Sequence, residues 1–270
     1  MNSCAALVAL AGCAALSGAA RGEELRDLCP DRPGKGTSPC TVDAGHLQIE
    51  ADIVDGAFQR SGGVTTDTYA AANPTVKYGL TDRWDIEANL APFVAVRSHD
   101  ETTGQRRTVS GIGDLFLRTK VNIVGNGGGS FSIAVDPFLK LPAARIGIGD
   151  GAVEGGLVVP MSLDLGGGWS LGMTPEIDLL KNAMDSGRHP AAVGVIGLGR
   201  AVAGGVTLGA ELWTSQDIDP AGTTRQYSFD LDAAWQPADN PNLQFDGGVN
   251  RGLNANTPSW QVYIGVSRRF

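Results

Sequence analysis

Cys29 and Cys40 are the residues whose chemistry the sequence constrains most tightly. Ahead of them, Cys4 to Ala20 is apolar and uncharged and ends in Gly18-Ala19-Ala20, the pattern of a secretory leader (1–20) with the mature chain starting near Arg21. Removing that leader takes Cys4 and Cys13 with it and leaves an even pair. In an oxidising compartment the pair is expected to close as a disulfide around the Pro/Gly-rich stretch Pro30, Pro33, Gly34, Gly36 and Pro39. A metal centre would need more thiols or imidazoles at ligand spacing, and only His46 is near, so neither metal nor cofactor is expected. Two features qualify the leader. Met1-Asn2-Ser3 carries no basic residue, and Leu10-Ala11-Gly12-Cys13 has the form of a lipoprotein cleavage site, which leaves lipidation of Cys13 open.

Nucleophilic catalysis needs a nucleophile within reach of a base. The histidines are His46, His99 and His189. Ser98 and His99 are neighbours, and in an extended chain neighbours point to opposite faces. Asp185 and Ser186 near His189 are ordinary residues of a polar loop. Gly147-Ile148-Gly149-Asp150-Gly151 superficially resembles a phosphate loop, but no helix follows it, so the anion-binding geometry is missing. No enzyme is expected, and a lipid-modifying barrel stands only as an alternative.

Carboxylates offer a clearer pattern. Glu50 and Asp52, Asp85 and Glu87, Glu176 and Asp178, and Asp230 and Asp232 each lie two residues apart. That spacing puts both members on one face of a strand. Asp114, Asp136, Glu154, Asp164, Glu211 and Asp246 share their faces, against the bases Lys77, Arg118, Lys120, Lys140, Arg200 and Arg269. Lining a bore, such an acidic wall would concentrate cations. The same charges could instead pair across a narrow bore into a salt-bridged plug. A formal net charge of −8 argues against nucleic acid as partner.

Strands must position these residues, because apolar and polar positions alternate nearly everywhere. Trp84, Ile86, Ala88 and Leu90 oppose Asp85, Glu87 and Asn89; Leu115, Leu117, Thr119, Val121 and Ile123 oppose Asp114, Phe116, Arg118, Lys120 and Asn122. About twelve such segments fit a transmembrane up-and-down antiparallel β-barrel, all-β in class. The face of the segment near 191–202, rich in Ala, Gly and Val, is not fixed. Connections alternate between tight turns, such as Thr81-Asp82-Arg83 and Gly166-Gly167-Gly168, and longer polar links near 59–67, 98–110, 142–152, 181–190, 215–226 and 253–258. Short periplasmic turns and longer outer loops predict that alternation. Tyr78, Trp84, Phe131, Trp169, Trp235, Phe245 and Phe270 fall on the outward face near the periplasmic ends, as a girdle at a lipid boundary would. The barrel is thus expected to span 46–270 in the bacterial outer membrane. The segment 21–45 is expected on the periplasmic side, too short for a plug domain. Alternation into a terminal Phe270 suits recognition by barrel assembly machinery, although Arg268 replaces the usual aromatic two residues earlier.

A family resemblance rests on particular segments. Cys29-Pro30-Asp31-Arg32-Pro33-Gly34-Lys35-Gly36-Thr37, Cys40-Thr41-Val42 and Gly45-His46-Leu47-Gln48-Ile49-Glu50 resemble the start of a family of outer-membrane transporters labelled for the meta-pathway of phenol degradation. Asn73 to Glu87, Gly111 to Ile123 and Leu243 to Asn254 are similar too. The resemblance implies an outer-membrane barrel moving small molecules, with hydrophobic or aromatic compounds as cargo; the acidic face, read from the residues, favours cations instead. A structural barrel that binds a partner is the remaining alternative.

Overall fold

The computed structural model describes residues 25–126 and 128–270. The leader, its cleavage site, Cys4 and Cys13 lie outside the described residues. Among the described residues strand is the only extended secondary structure, in one sheet of fifteen hydrogen-bonded segments. They form a closed antiparallel barrel of 12 strands. These are β1 (Leu47–Ser61), β2 (Val64–Thr81), β3 (Trp84–Leu90, then Phe93–Asp100), β4 (Arg106–Gly111, then Leu115–Val124), β5 (Phe131–Leu141) and β6 (Glu154–Val158, then Met161–Gly166). The ring continues through β7 (Trp169–Lys181), β8 (Arg188–Ala201), β9 (Val206–Asp219), β10 (Gly222–Trp235), β11 (Leu243–Gly252) and β12 (Trp260–Arg269). β12 closes onto β1 from Gln48↔Arg269 to Phe58↔Trp260, so no edge is left along the seam. A membrane-spanning sheet needs that closure, because lipid cannot satisfy an open row of amides.

The alternation read from the sequence is obeyed. On β3, Trp84 and Ile86 are 44% and 45% exposed while Asp85 and Glu87 are 0% and 5%. A sheet that exposes its apolar face and buries its charged one belongs in lipid. The girdle residues Tyr78, Trp84, Phe131, Trp169, Trp235, Phe245 and Phe270 are all exposed outward.

The strands are longer and less regular than the alternation predicts. β1 and β2 run on to Ser61↔Val64, and β9 and β10 to Asp219↔Gly222, so the polar links expected at 59–67 and 215–226 are mostly paired strand. Backbone pairing does not depend on side-chain polarity, and the Thr-rich stretches suit a strand. Three strands break in mid-course, two of them at prolines (Pro92 in β3, Pro160 in β6), which cannot donate to the ladder. A bulge at Ile53 sits opposite Ala72, whose φ is +49°. Beyond it the faces shift by one residue: Ile53 and Val54 both point outward, and Asp55 turns inward to accept a 2.7 Å hydrogen bond from Gln261. The outer half of β4 pairs only with β3, and its free side is covered by the 142–153 loop, where Arg145 donates to the Ser110 carbonyl.

Candidate functional site: a lumen filled by the N-terminal loop

The Cys29–Cys40 disulfide forms, with Cα atoms 6.1 Å apart. Its loop, expected on the periplasmic side, lies inside the ring of strands. The Pro/Gly-rich sequence has no strand period, so it cannot join the sheet; its free backbone groups and charges find partners on the wall instead.

Asp31 faces two lysines. Its carboxylate accepts from Lys120 at 2.8 Å and also pairs with Lys77, and its own amide donates to Glu50 at 2.9 Å. Lys77 further pairs with Glu50 at 2.7 Å, and Lys120 with Glu87 at 3.3 Å. The two lysine side chains are only 3% and 0% exposed, so these pairs are what allow the charges to sit there. Burial works against ionising Asp31, but Lys120 and Lys77 outweigh it and hold its carboxyl well below the usual carboxylate range.

The next residues carry the opposite sign to the other side of the bore. Arg32 pairs with Asp52 on β1 and with Asp246 on β11, the latter at 2.8 Å, and lies 5.7 Å from the Tyr263 ring centroid. Lys35 donates to Ser228 at 2.7 Å, approaches Asp230 at 3.4 Å and sits 4.4 Å from the centroid of Trp213. The amides of Lys35 and Gly36 both donate to Glu211. A Cβ at Gly34 would stand 2.4 Å from a Glu211 carboxylate oxygen, so a larger residue there would push that side chain away from the amides it accepts from. Thr37 donates to Thr174 at 3.1 Å, Asn122 donates to the Pro39 carbonyl, and the Val42 amide reaches Asp85 at 2.8 Å. Nearer the periplasmic rim Arg26 and Arg269 share Asp43. The loop is therefore tied to wall residues from β1 through β4 and from β7, β9, β10, β11 and β12.

Glu50, Asp52, Asp85, Glu87, Asp136, Glu154, Asp178, Asp230, Asp246, Lys77 and Lys120 are buried, and Asp114, Glu176, Glu211, Asp232, Arg118 and Lys140 are half-buried. Lys140 gathers Asp114, Asp150 and Glu154. Arg118 contacts Asp136 at 3.4 Å and lies over the inward rings of Phe138 and Phe116, at 5.0 and 6.0 Å. Arg200 is the exception: it lies 5.0 Å from the outward Trp169 ring, because the register on β8 puts it on the lipid face. Asp164 is exposed, taking the Gly166 amide in a turn. Alternation alone missed Asp55, which the bulge at Ile53 brings inward, and missed Asp31, Arg32 and Lys35, which lie outside any strand. The one signal for these three was charge placed within a disulfide loop. Of the histidines, His46 is half-buried, while His189 is buried against Asn182 (2.9 Å) and Asp217 (2.7 Å).

A 360 Å³ cavity remains between the loop and β1–β4, bordered by Asn73, Thr75, Asn89, Phe116 and Arg118. A second, of 590 Å³, opens at the periplasmic mouth, where both Cys29 and Cys40 line it. Among the described residues no cluster of three or more His, Cys, Asp or Glu has metal-binding geometry.

A closed ring of strands, apolar outside and charged inside, with Leu25 and Arg269 at one rim, defines an outer-membrane β-barrel. The family described as "Putative MetA-pathway of phenol degradation" matches residues 30–270, and the chain belongs to that family. Among solved structures, the COG4313 outer membrane channel from Pseudomonas putida F1 is similar, with a TM-score of 0.66 at 16% identity over 88% of this chain and 99% of that one. The β domain of the Bordetella autotransporter BrkA is similar with a TM-score of 0.53, at 17% identity over 84% of this chain and 100% of that one. The translocator domain of the autotransporter NalP from Neisseria meningitidis gives 0.50 at 14% identity, over 84% and 90%. No curated protein matches the chain. At these identities the structures speak for the fold.

Proposed function

We propose that the protein is an outer-membrane channel for small molecules whose bore is closed at rest by its own N-terminal loop. One observation carries this reading: Asp31, Arg32 and Lys35 are matched in sign to opposing wall charges, so a single docked position satisfies all three. Passage then requires the loop to shift. Its departure leaves Asp52, Asp246, Asp230 and Glu211 without their cationic or amide partners, and the opened bore prefers cations. The remaining cavity admits something about the size of one small ring, and the Phe116–Phe138 pair beside it (centroids 6.2 Å apart) gives an apolar wall for such a ring. The family description points the same way. We assign no catalytic role, since His189 is held by Asn182 and Asp217 and, among the described residues, no hydroxyl or thiol hydrogen-bonds to it.

Export by a leader at 1–20 and insertion by barrel assembly machinery accord with this reading. Phe270 donates its amide to the Leu47 carbonyl, so the terminal residue forms part of the seam. The test is the reversal potential of refolded protein in a planar bilayer under a salt gradient, with the loop displaced by Asp31→Lys. A cation-selective current, blocked by small ring compounds, is expected. An anion-selective current, or none, overturns the assignment.

A further inference from the structure

We propose that the outward face of β1–β4, at the extracellular rim, binds the phosphate groups of the phosphorylated glycolipid that forms the outer leaflet. Three arginines carry the inference: Arg60 on β1, Arg97 on β3 and Arg106 on β4, all exposed.

Register fixes the face, because cross-strand partners point the same way. Phe58 pairs with Trp260 on one side and Asp67 on the other, and Asp67 pairs with Arg97. One step outward, Arg60 pairs with Thr65, Thr65 with His99, and His99 with Arg106. Trp260 is 48% exposed and continues the exposed run of Val262 and Ile264, so the shared face is the lipid face. Chain length fixes the level. From Leu47 at the periplasmic seam to Phe58, a strand rising ~3.3 Å per residue and tilted ~40° climbs roughly 28 Å, about the height of the apolar band. The arginines therefore begin where hydrocarbon ends.

Their surroundings suit anions. In a chain of net charge −8, three guanidiniums share this face with two carboxylates, Asp67, which is 3.5 Å from Arg60, and Glu101, which accepts from Thr65 at 3.4 Å. Asp100 at the hairpin tip is occupied by the amides of Thr102 and Thr103. Arg97 lies over the Tyr69 ring at 5.4 Å. A guanidinium matches a phosphate with two parallel hydrogen bonds, and its weak hydration lowers the desolvation cost at a membrane surface.

The experiment uses the intact barrel in detergent micelles, titrated with diphosphorylated lipid A and with the same lipid stripped of phosphate. Wild type is expected to favour the phosphorylated form by about tenfold or more. The triple variant Arg60→Gln/Arg97→Gln/Arg106→Gln should bring the two lipids to near parity while keeping the heat-modifiable gel migration of a folded barrel. Asp67→Asn should tighten phosphorylated lipid A about threefold by removing the carboxylate that pairs with Arg60. Equal binding of both lipids by wild type, or a preference that survives the triple substitution, overturns the proposal. Should the triple variant not fold, Arg97→Gln alone is expected to lose part of the preference, and an unchanged preference there also overturns it. The readout is lipid binding, so it stands or falls independently of conduction.

Discussion

The two sides of the bore meet the same loop with opposite charge. On β2 and β4, Lys77 and Lys120 are sealed from solvent and converge on Asp31. Around β9–β11 and β1, carboxylates from four strands receive Arg32, Lys35 and the amides beside it. The cationic side is a tight site with one key. The anionic side is broader and has spare capacity: Asp232 is half-buried and makes no ion pair among the described residues. The contrast teaches that the loop is oriented by sign, and that its docking is more sensitive at Asp31 than at either basic residue.

The largest effect is expected from Asp31→Lys. It places a third cation against Lys77 and Lys120, and the loop should leave the bore, raising mean conductance at least severalfold. Adding Lys120→Asp should return the channel to its closed state; failure of that swap would break the comparison. Arg32→Ala should come next. It leaves Asp52 and Asp246 without their shared cation, and removing one partner of a buried pair costs about 3–5 kcal/mol. Openings in single-channel records should become frequent but not permanent. Reducing the Cys29–Cys40 bond, which faces the periplasmic cavity, should act more weakly, because the charged contacts remain while the loop gains freedom. Lys35→Ala should have the smallest effect, since its ion pair is loose at 3.4 Å and Glu211 still holds the backbone amides.

The acid response sharpens the same comparison. Asp31 ionises more readily docked than free, so its contribution to docking is complete above the free carboxylate pKa and fades only as pH falls through the lower docked value. Conductance should therefore stay low from neutral pH to about pH 4. Opening already near pH 6 would mean that Asp31 is not the key.

Much of this architecture was legible in the sequence, because a barrel wall writes itself as alternation. Asp85 and Glu87 between Trp84, Ile86 and Ala88 fix the inward face of β3 without reference to any other strand. Where alternation fails, the reading failed for identifiable reasons. On β8 Ala, Gly and Val suit either face, and Arg200 was placed on the wrong one. On β1 the bulge at Ile53 inserts one residue, which no local pattern announces, and Asp55 changes sides. The docked loop was invisible for a different reason. Its position depends on contacts to residues up to 226 positions away, as between Asp43 and Arg269, and a Pro/Gly-rich segment has no period to reveal them. The disulfide could be foreseen from cysteine parity, but not where the loop it closes would lie.

The central claim is that residues 25–43 close the bore. It is tested most directly by comparing single-channel conductance of the intact barrel and of the same barrel lacking those residues, refolded into the same bilayer. The account predicts small, infrequent steps from the intact protein and large, steady, cation-selective steps from the shortened one. Equal conductance from the two would contradict it, because the loop would then occupy the lumen without controlling it.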